Sequence, residues 1–337
     1  MKREFCLSSR REFLGHSTGA LAALSAIATQ RSQAAQKDSL NPFAYDISRL
    51  EKTDPNLIAY EEHAHWKAPH PEAKRMAIAH DDTLYICSGN YVTALSKSGE
   101  QGMEIALAEP PRCVAVAKNG LIYIGLRDHI EVFDAKGAHK ATWDSPGKKS
   151  WFTGLTLAEN DLFAADAGNR VILRYDRSGK IVHRIGEKDK ERNIPGFIIP
   201  SPFFDVEIAR DGLLRINNPG RHRVEIYTAD GDFEGSWGTF STGIAGFCGC
   251  CNPINFALLP DGRHVTCEKG LPRVKIYSAT GEFESVVAGV ESFGANGKAC
   301  GQSDCTAGGL DTVVDSQGRI FILDFVTGNV RIMKRKA

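Results

Sequence analysis

The feature that most constrains the fold of this chain is a repeat. Six segments share one order of apolar strand, short turn, alternating strand and polar or Gly-containing turn: 81–99, 118–137, 159–179, 210–231, 260–281 and 316–336. The turn glycines Gly99, Gly137, Gly179, Gly231 and Gly281 recur at roughly 40 to 50 residues, the length of one four-stranded propeller blade. No helix-period segment of useful length interrupts them. The pattern predicts an all-β chain folded as a six-bladed β-propeller. About 300 residues without a long apolar run can bury a large core, and although that length alone would allow two domains, the repeat predicts one over residues 57–337.

The sixth copy stops at "NVRIMKRKA", where the others still have an outermost strand to come. An early segment, "LIAYEEHAHWKA" (57–68), has strand alternation and is similar to "HIEVFDAKGAHKATW" of the second copy. It is therefore expected to supply the missing edge, so that the last blade is closed by an N-terminal strand. Residues 35–56 are expected to form an irregular lead-in.

Residues 9–14 read "SRREFL", and a weakly apolar run ending in small residues follows. This pattern predicts a twin-arginine (Tat) signal peptide over residues 1–34, with small-residue cleavage points after Ala28 or Ala34. The run is too short and too rich in Gly, Ser and Thr for a membrane anchor. The expected location is the periplasm or cell envelope, with no transmembrane anchor after signal removal. The whole chain has 41 basic and 41 acidic residues. The first 35 residues are net basic, which leaves the remainder slightly acidic and makes nucleic acid an unexpected partner.

"DAGNRVILRYDRSG", "RHRVEIYTADGDF" and "LPRVKIYSATGEF" share an Arg-Val pair and an aromatic residue before a Gly turn, and the first also has the Asp and Asn that precede them. In this they resemble NHL repeats, and the resemblance covers residues from about 76 to the C-terminus. It implies the propeller architecture and leaves the activity open, because such propellers include both binding proteins and enzymes.

Five of the nine cysteines lie in two inter-blade connections, Cys248, Cys250 and Cys251 in "FCGCCNP" and Cys300 and Cys305 in "KACGQSDC". Up-and-down topology places both connections on one face, on either side of blade five. The long connection 186–202 shares that face, which is expected to bind a protein or a small-molecule ligand. Four of these thiolates would suit an iron-sulfur cluster, or zinc, held as an electron-transfer or ligand-binding site. Disulfides between the two connections, in a binding scaffold without metal, are the alternative in an oxidising compartment, and a thiol redox pair is a third reading. Arg223, Lys269 and Arg273, with Arg127, Arg170 and Arg221, fall on or beside turns of the same face, either as cofactor-binding cations or as residues that tie turns together. Cys87, Cys113 and Cys267 are expected in the core.

A second alternative is a metal-dependent lactonase- or lyase-type enzyme, with Asp205, Glu207 and Asp311 on predicted innermost strands near a central channel. His63, His65 and His70 resemble a metal-ligand run, yet the closure scheme puts His63 and His65 on an exposed edge strand. No haem-attachment site, nucleophile elbow or phosphate loop is present.

Overall fold

A computed structural model of the chain describes residues 48–294 and 308–337. The signal-peptide residues, most of the lead-in, and Cys300 and Cys305 lie outside the described residues. The chain divides into two units at residue 49, and all of the β-structure belongs to the second, Leu50–Ala337.

The described strands form six antiparallel four-stranded sheets, each built from consecutive strands except the last. That arrangement is the expected six-bladed β-propeller. The innermost strands are Arg75–Ile78, Cys113–Val116, Phe152–Leu157, Val206–Ile208, Asn255–Leu258 and Leu310–Val314. The second strands are buried on both faces, as in Leu84–Ser88 and Leu214–Asn218, because each sheet packs against a blade on either side. Outermost strands alternate between exposed and covered residues, as Phe233–Trp237 does, because successive side chains point to opposite faces and one face is less covered there.

In blade six, Tyr60–Lys67 pairs antiparallel with Asn329–Arg335, from Tyr60 opposite Arg335 to Lys67 opposite Asn329, with a register shift between Glu62 and Ala64. The N-terminal strand thus occupies the edge that the C-terminal copy lacks. Just ahead of this strand, the Ala59 amide donates to the Val286 carbonyl of blade five at 3.0 Å.

The turn glycines do more than reverse the chain. All five have positive φ, between +80° and +91°, and each faces the outermost strand of the preceding blade. A Cβ at Gly99 would stand 2.6 Å from the Trp66 ring, and one at Gly179 would stand 2.5 Å from Trp143. Gly281 lies closer still to Trp237, while Gly137 meets Met103 and Gly231 meets His183. Conformation favours glycine at all five turns, and close approach adds to it at Gly99, Gly179 and Gly281. The aromatic residues that precede three of them, Tyr175, Tyr227 and Tyr277, are fully buried, and Trp143 and Trp237 pack on Tyr175 and Tyr277 at 5.5 and 4.9 Å between ring centroids.

Removing residues 1–68 would leave Asn329–Arg335 as an unpaired edge beside an exposed apolar face. The truncated protein is expected to aggregate on size-exclusion chromatography and to return to a monomer when a peptide spanning 58–68 is added. A truncated chain that stays monomeric with an unchanged melting temperature would refute this closure role.

Candidate functional site

Two clusters of polar residues gather chemistry, one inside the ring and one on the blade-five rim. The first lies where the innermost strands begin, at the end of the channel next to the inter-blade connections. Arg75 sends its guanidinium across the axis. Its Nη2 pairs with Asp205 Oδ1 at 2.5 Å and its Nη1 with Asp311 Oδ1 at 3.0 Å, and Nη1 also donates to Asn255 Oδ1. Asp311 Oδ2 accepts the Met76 amide at 2.6 Å, and Asn255 donates to the Leu310 carbonyl at 2.7 Å. Asn217 accepts the Asp205 amide at 2.6 Å and donates to the carbonyls of Pro253 and Ile254. Gly154 makes room, since a Cβ there would stand 2.5 Å from Asp205 Oδ1. One arginine of blade one thereby reaches blades four, five and six.

Burial works against the Arg75 charge, but Asp205 and Asp311 outweigh it and hold the guanidinium firmly protonated. Burial raises the Asp311 carboxyl to about 6, against the pull of Arg75. Two residues along from Asp205, Glu207 is pushed up to about 8, first by burial and then by the charge of Asp205. Its Oε2 accepts a hydrogen bond from Thr156 at 3.3 Å. These groups line a channel cavity of about 330 Å³. The three acids picked out from sequence are brought together here around Arg75, a residue that lies upstream of the first recognisable repeat segment and was not singled out.

The second cluster surrounds "FCGCCNP". Gly249, at φ +82°, bends the loop. Cys248 and Cys251 are buried, and Cys250 is exposed with its Sγ 3.2 Å from that of Cys251. Asn252 secures the loop by donating to the carbonyls of Cys248 at 2.6 Å and Lys269 at 2.9 Å, while its own Oδ1 accepts the Lys269 amide. Behind Cys248 lie Glu268, Arg273 and Lys275, all almost inaccessible to solvent. Glu268 pairs with Arg273 at 2.8 Å and with Lys275 at 3.0 Å. Arg273 Nη2 also lies 3.4 Å from Cys248 Sγ. Burial lowers Lys275 to about 8 despite Glu268, and burial raises the Cys248 thiol, with Glu268 adding to the effect. Leu50, Leu271 and Val290 cover Cys248.

Blade four offers the contrast. Arg223 there pairs with Glu225 at 2.6 Å, and Asn218 and Tyr227 also donate to that carboxylate. The two strands read "RVEIY" and "RVKIY", so Lys275 stands where Glu225 stands one blade earlier. Lys269 donates to Ser201 Oγ at 3.3 Å and lies 4.5 Å over the Phe203 ring.

Other residues singled out from sequence are placed as follows. Cys87, Cys113 and Cys267 are fully buried at the Arg75 end of the channel, their thiols raised by burial, Cys113 to about 12. Arg127 lies over Trp151, and Arg221 donates to the Pro195 carbonyl at 3.2 Å. Arg170 has φ +59° in its turn. His65 lies 3.3 Å from Glu62, whereas His70 stacks on Tyr91 and bonds Glu104 at 2.8 Å, so the structure does not gather the histidines. Among the described residues, no group of three or more His, Cys, Asp or Glu side chains is arranged to hold a metal ion. No helix among them is long and apolar enough to cross a membrane.

No family model and no curated protein matches the sequence. The fold, by contrast, is similar to that of solved structures. A streptogramin B lyase structure superposes with a TM-score of 0.57 at 14% identity, covering 82% of this chain and 97% of the other. Virginiamycin B lyase from Staphylococcus aureus gives 0.55 at 13%, covering 82% and 100%. The WD40 β-propeller domain of Doa1 gives 0.54 at 14%, covering 82% and 97%. A lyase and a WD40 domain match equally well, so the likeness is one of fold alone. The chain is a six-bladed β-propeller.

Replacing Arg75 by Met would leave Asp205 and Asp311 buried without their partner, at a cost of about 3–5 kcal/mol in urea unfolding. The pH dependence has a definite sign. Glu207 binds its proton more tightly when folded than at its ordinary pKa of about 4.3. Its stabilising share is full below that value and is lost as pH rises through about 8. Urea unfolding of Glu207→Gln is therefore expected to show a smaller loss of stability between pH 5 and 8 than the parent.

Proposed function

We propose that this protein is an exported, NHL-like propeller whose blade-five rim holds a thiolate-ligated metal or iron-sulfur centre used in electron transfer. The observation that carries this reading is a charge imbalance. Among the described residues, Arg273 and Lys275 share one carboxylate, Glu268, in a pocket almost closed to solvent. Blade four sets one arginine against one glutamate at the corresponding place. The Lys275 ammonium donates to the carbonyls of Ile244 and Gly246 as well as pairing with Glu268. A buried surplus of positive charge is still costly unless an anion meets it, and the Cys248 sulfur lies 3.4 Å from Arg273. Ligation deprotonates thiols, so a metal-bound Cys248 would supply the missing negative charge.

The donor chemistry fits as well. Cys250 and Cys251 bring two sulfur donors together 3.2 Å apart, closer than the ~3.8 Å that two thiolates span on one tetrahedral zinc, so the pair would open to take a metal. Cys300 and Cys305, outside the described residues, would provide further thiolates. A bound cluster would supply one-electron chemistry, while Arg273 and Lys275 balance its charge and Leu50, Leu271 and Val290 exclude water from the Cys248 side. Export by the Tat route, read from Arg10 and Arg11, suits a protein that folds and acquires its centre before crossing the membrane.

The full chain, purified without oxygen and analysed for iron, zinc, acid-labile sulfide and accessible thiols, tests this. Bound iron with sulfide, or zinc, that falls by at least half in Cys248→Ser and Cys251→Ser is expected. Lys275→Met should weaken retention of the metal while the protein stays folded. Colourless, metal-free protein after anaerobic purification and reconstitution would overturn the reading, as would cysteines found wholly in disulfides.

A further inference from the structure

The channel carries a second site, independent of the cysteine rim. Its walls are formed by equivalent residues of the six innermost strands. The last residue of each is a branched aliphatic, namely Ile78, Val116, Leu157, Ile208, Leu258 and Val314, and all six are only partly covered. They form an apolar collar at the end of the channel away from the cysteine loops. One residue further in, three blades present alanine (Ala77, Ala115, Ala257), whereas blade four presents Glu207 and blade three Thr156. Small side chains opposite a carboxyl leave the space that becomes the cavity of about 330 Å³. The floor is the Arg75 network, so the cavity is amphipathic along its axis.

The charges decide what suits it. Arg75 is the only cation lining the cavity among the described residues, and both of its carboxylate partners line the same cavity. Cys113, the remaining titratable group of the floor, is neutral. The floor is therefore net negative even before Glu207 ionises. Because Arg75 already stands between Asp205 and Asp311, these acids do not form an open cation cage. A further observation points to a missing ligand. Thr312 lines the cavity at 3% exposure, and its hydroxyl has no hydrogen-bond partner. A buried hydroxyl without a partner is costly unless something that binds in the cavity satisfies it.

We infer that the channel binds a small alkylammonium ligand, its cationic head between Glu207 and Thr312 and its aliphatic part in the collar. Ammonium carries three donors and no acceptor, which matches a carboxylate and a hydroxyl that can accept. Binding a cation next to Glu207 favours the ionised carboxylate, so the Glu207 proton passes to solvent as the ligand enters. Near neutral pH each binding event releases close to one proton. Affinity rises towards pH 9, where Glu207 is already ionised and an alkylamine remains largely protonated.

Hexylammonium is the probe, with hexan-1-ol and hexanoate as controls of equal length, titrated calorimetrically into the full chain. The expected result is binding of hexylammonium at least tenfold tighter than of either control, with proton release visible when buffers of different ionisation heat are compared. Glu207→Gln should weaken binding at least tenfold and abolish its rise with pH. Ala77→Leu, which fills the cavity from a half-exposed position, should remove binding while the melting temperature stays within a few degrees. No heat with millimolar hexylammonium, equal binding of hexan-1-ol, or undiminished affinity in either variant would overturn the inference. None of these outcomes depends on the metal content of the rim.

Discussion

The guanidinium of Arg75 is the interaction on which the ring depends. A propeller has no core on its axis and is held by packing between neighbouring blades, and here one side chain from blade one also reaches across the axis to acceptors on blades four, five and six. An ion pair of this depth is weak evidence for stability in itself, since desolvation offsets much of the Coulomb attraction. Its stronger role is to specify geometry. Asp205, Asn255 and Asp311 are satisfied together only when the blades stand at the right rotation about the channel. The remaining hydrogen bonds of that layer, from Asn217 and Asn255 to the backbones of the next blades, extend the same logic around the ring.

Much of the architecture was legible because it is written in local, repeated terms. Gly99, Gly179 and Gly281 announce tight turns, and the structure adds that each also admits a tryptophan from the neighbouring blade, which no single repeat reveals. The closing strand could be read from the missing end of the sixth copy. Arg75 could not be read in this way. It sits outside the recognisable segments, and its partners lie 130, 180 and 236 residues away. Asp205, Glu207 and Asp311 were visible as acids on innermost strands, yet nothing local distinguishes an acid that faces arginine from one that faces solvent. The blade-five charge pattern was hidden for another reason. "RVKIY" resembles any other turn-binding segment until Lys275 is compared with Glu225, and only burial gives that exchange an energetic meaning.

The two ends of the channel are chemically unlike. At one end the inter-blade connections bring thiols, buried cations and the Arg75 network together. The other end is a ring of aliphatic side chains leading to a single protonatable carboxyl. A rigid β-scaffold can keep such different environments a short distance apart because each is fixed by strands that do not need to move. The fold is shared with proteins as different as a lyase and a WD40 domain, and it is these two local departures from the repeat that distinguish this chain.

The shared blade six has a consequence for the order of events in synthesis. Tyr60 leaves the ribosome long before Arg335, its partner across the sheet, has been made. Until then five blades can fold behind an open seam, with one strand tethered and unpaired. A nascent chain halted short of Asn329–Arg335 cannot seal, so synthesis of that strand is itself the step that licenses a closed ring.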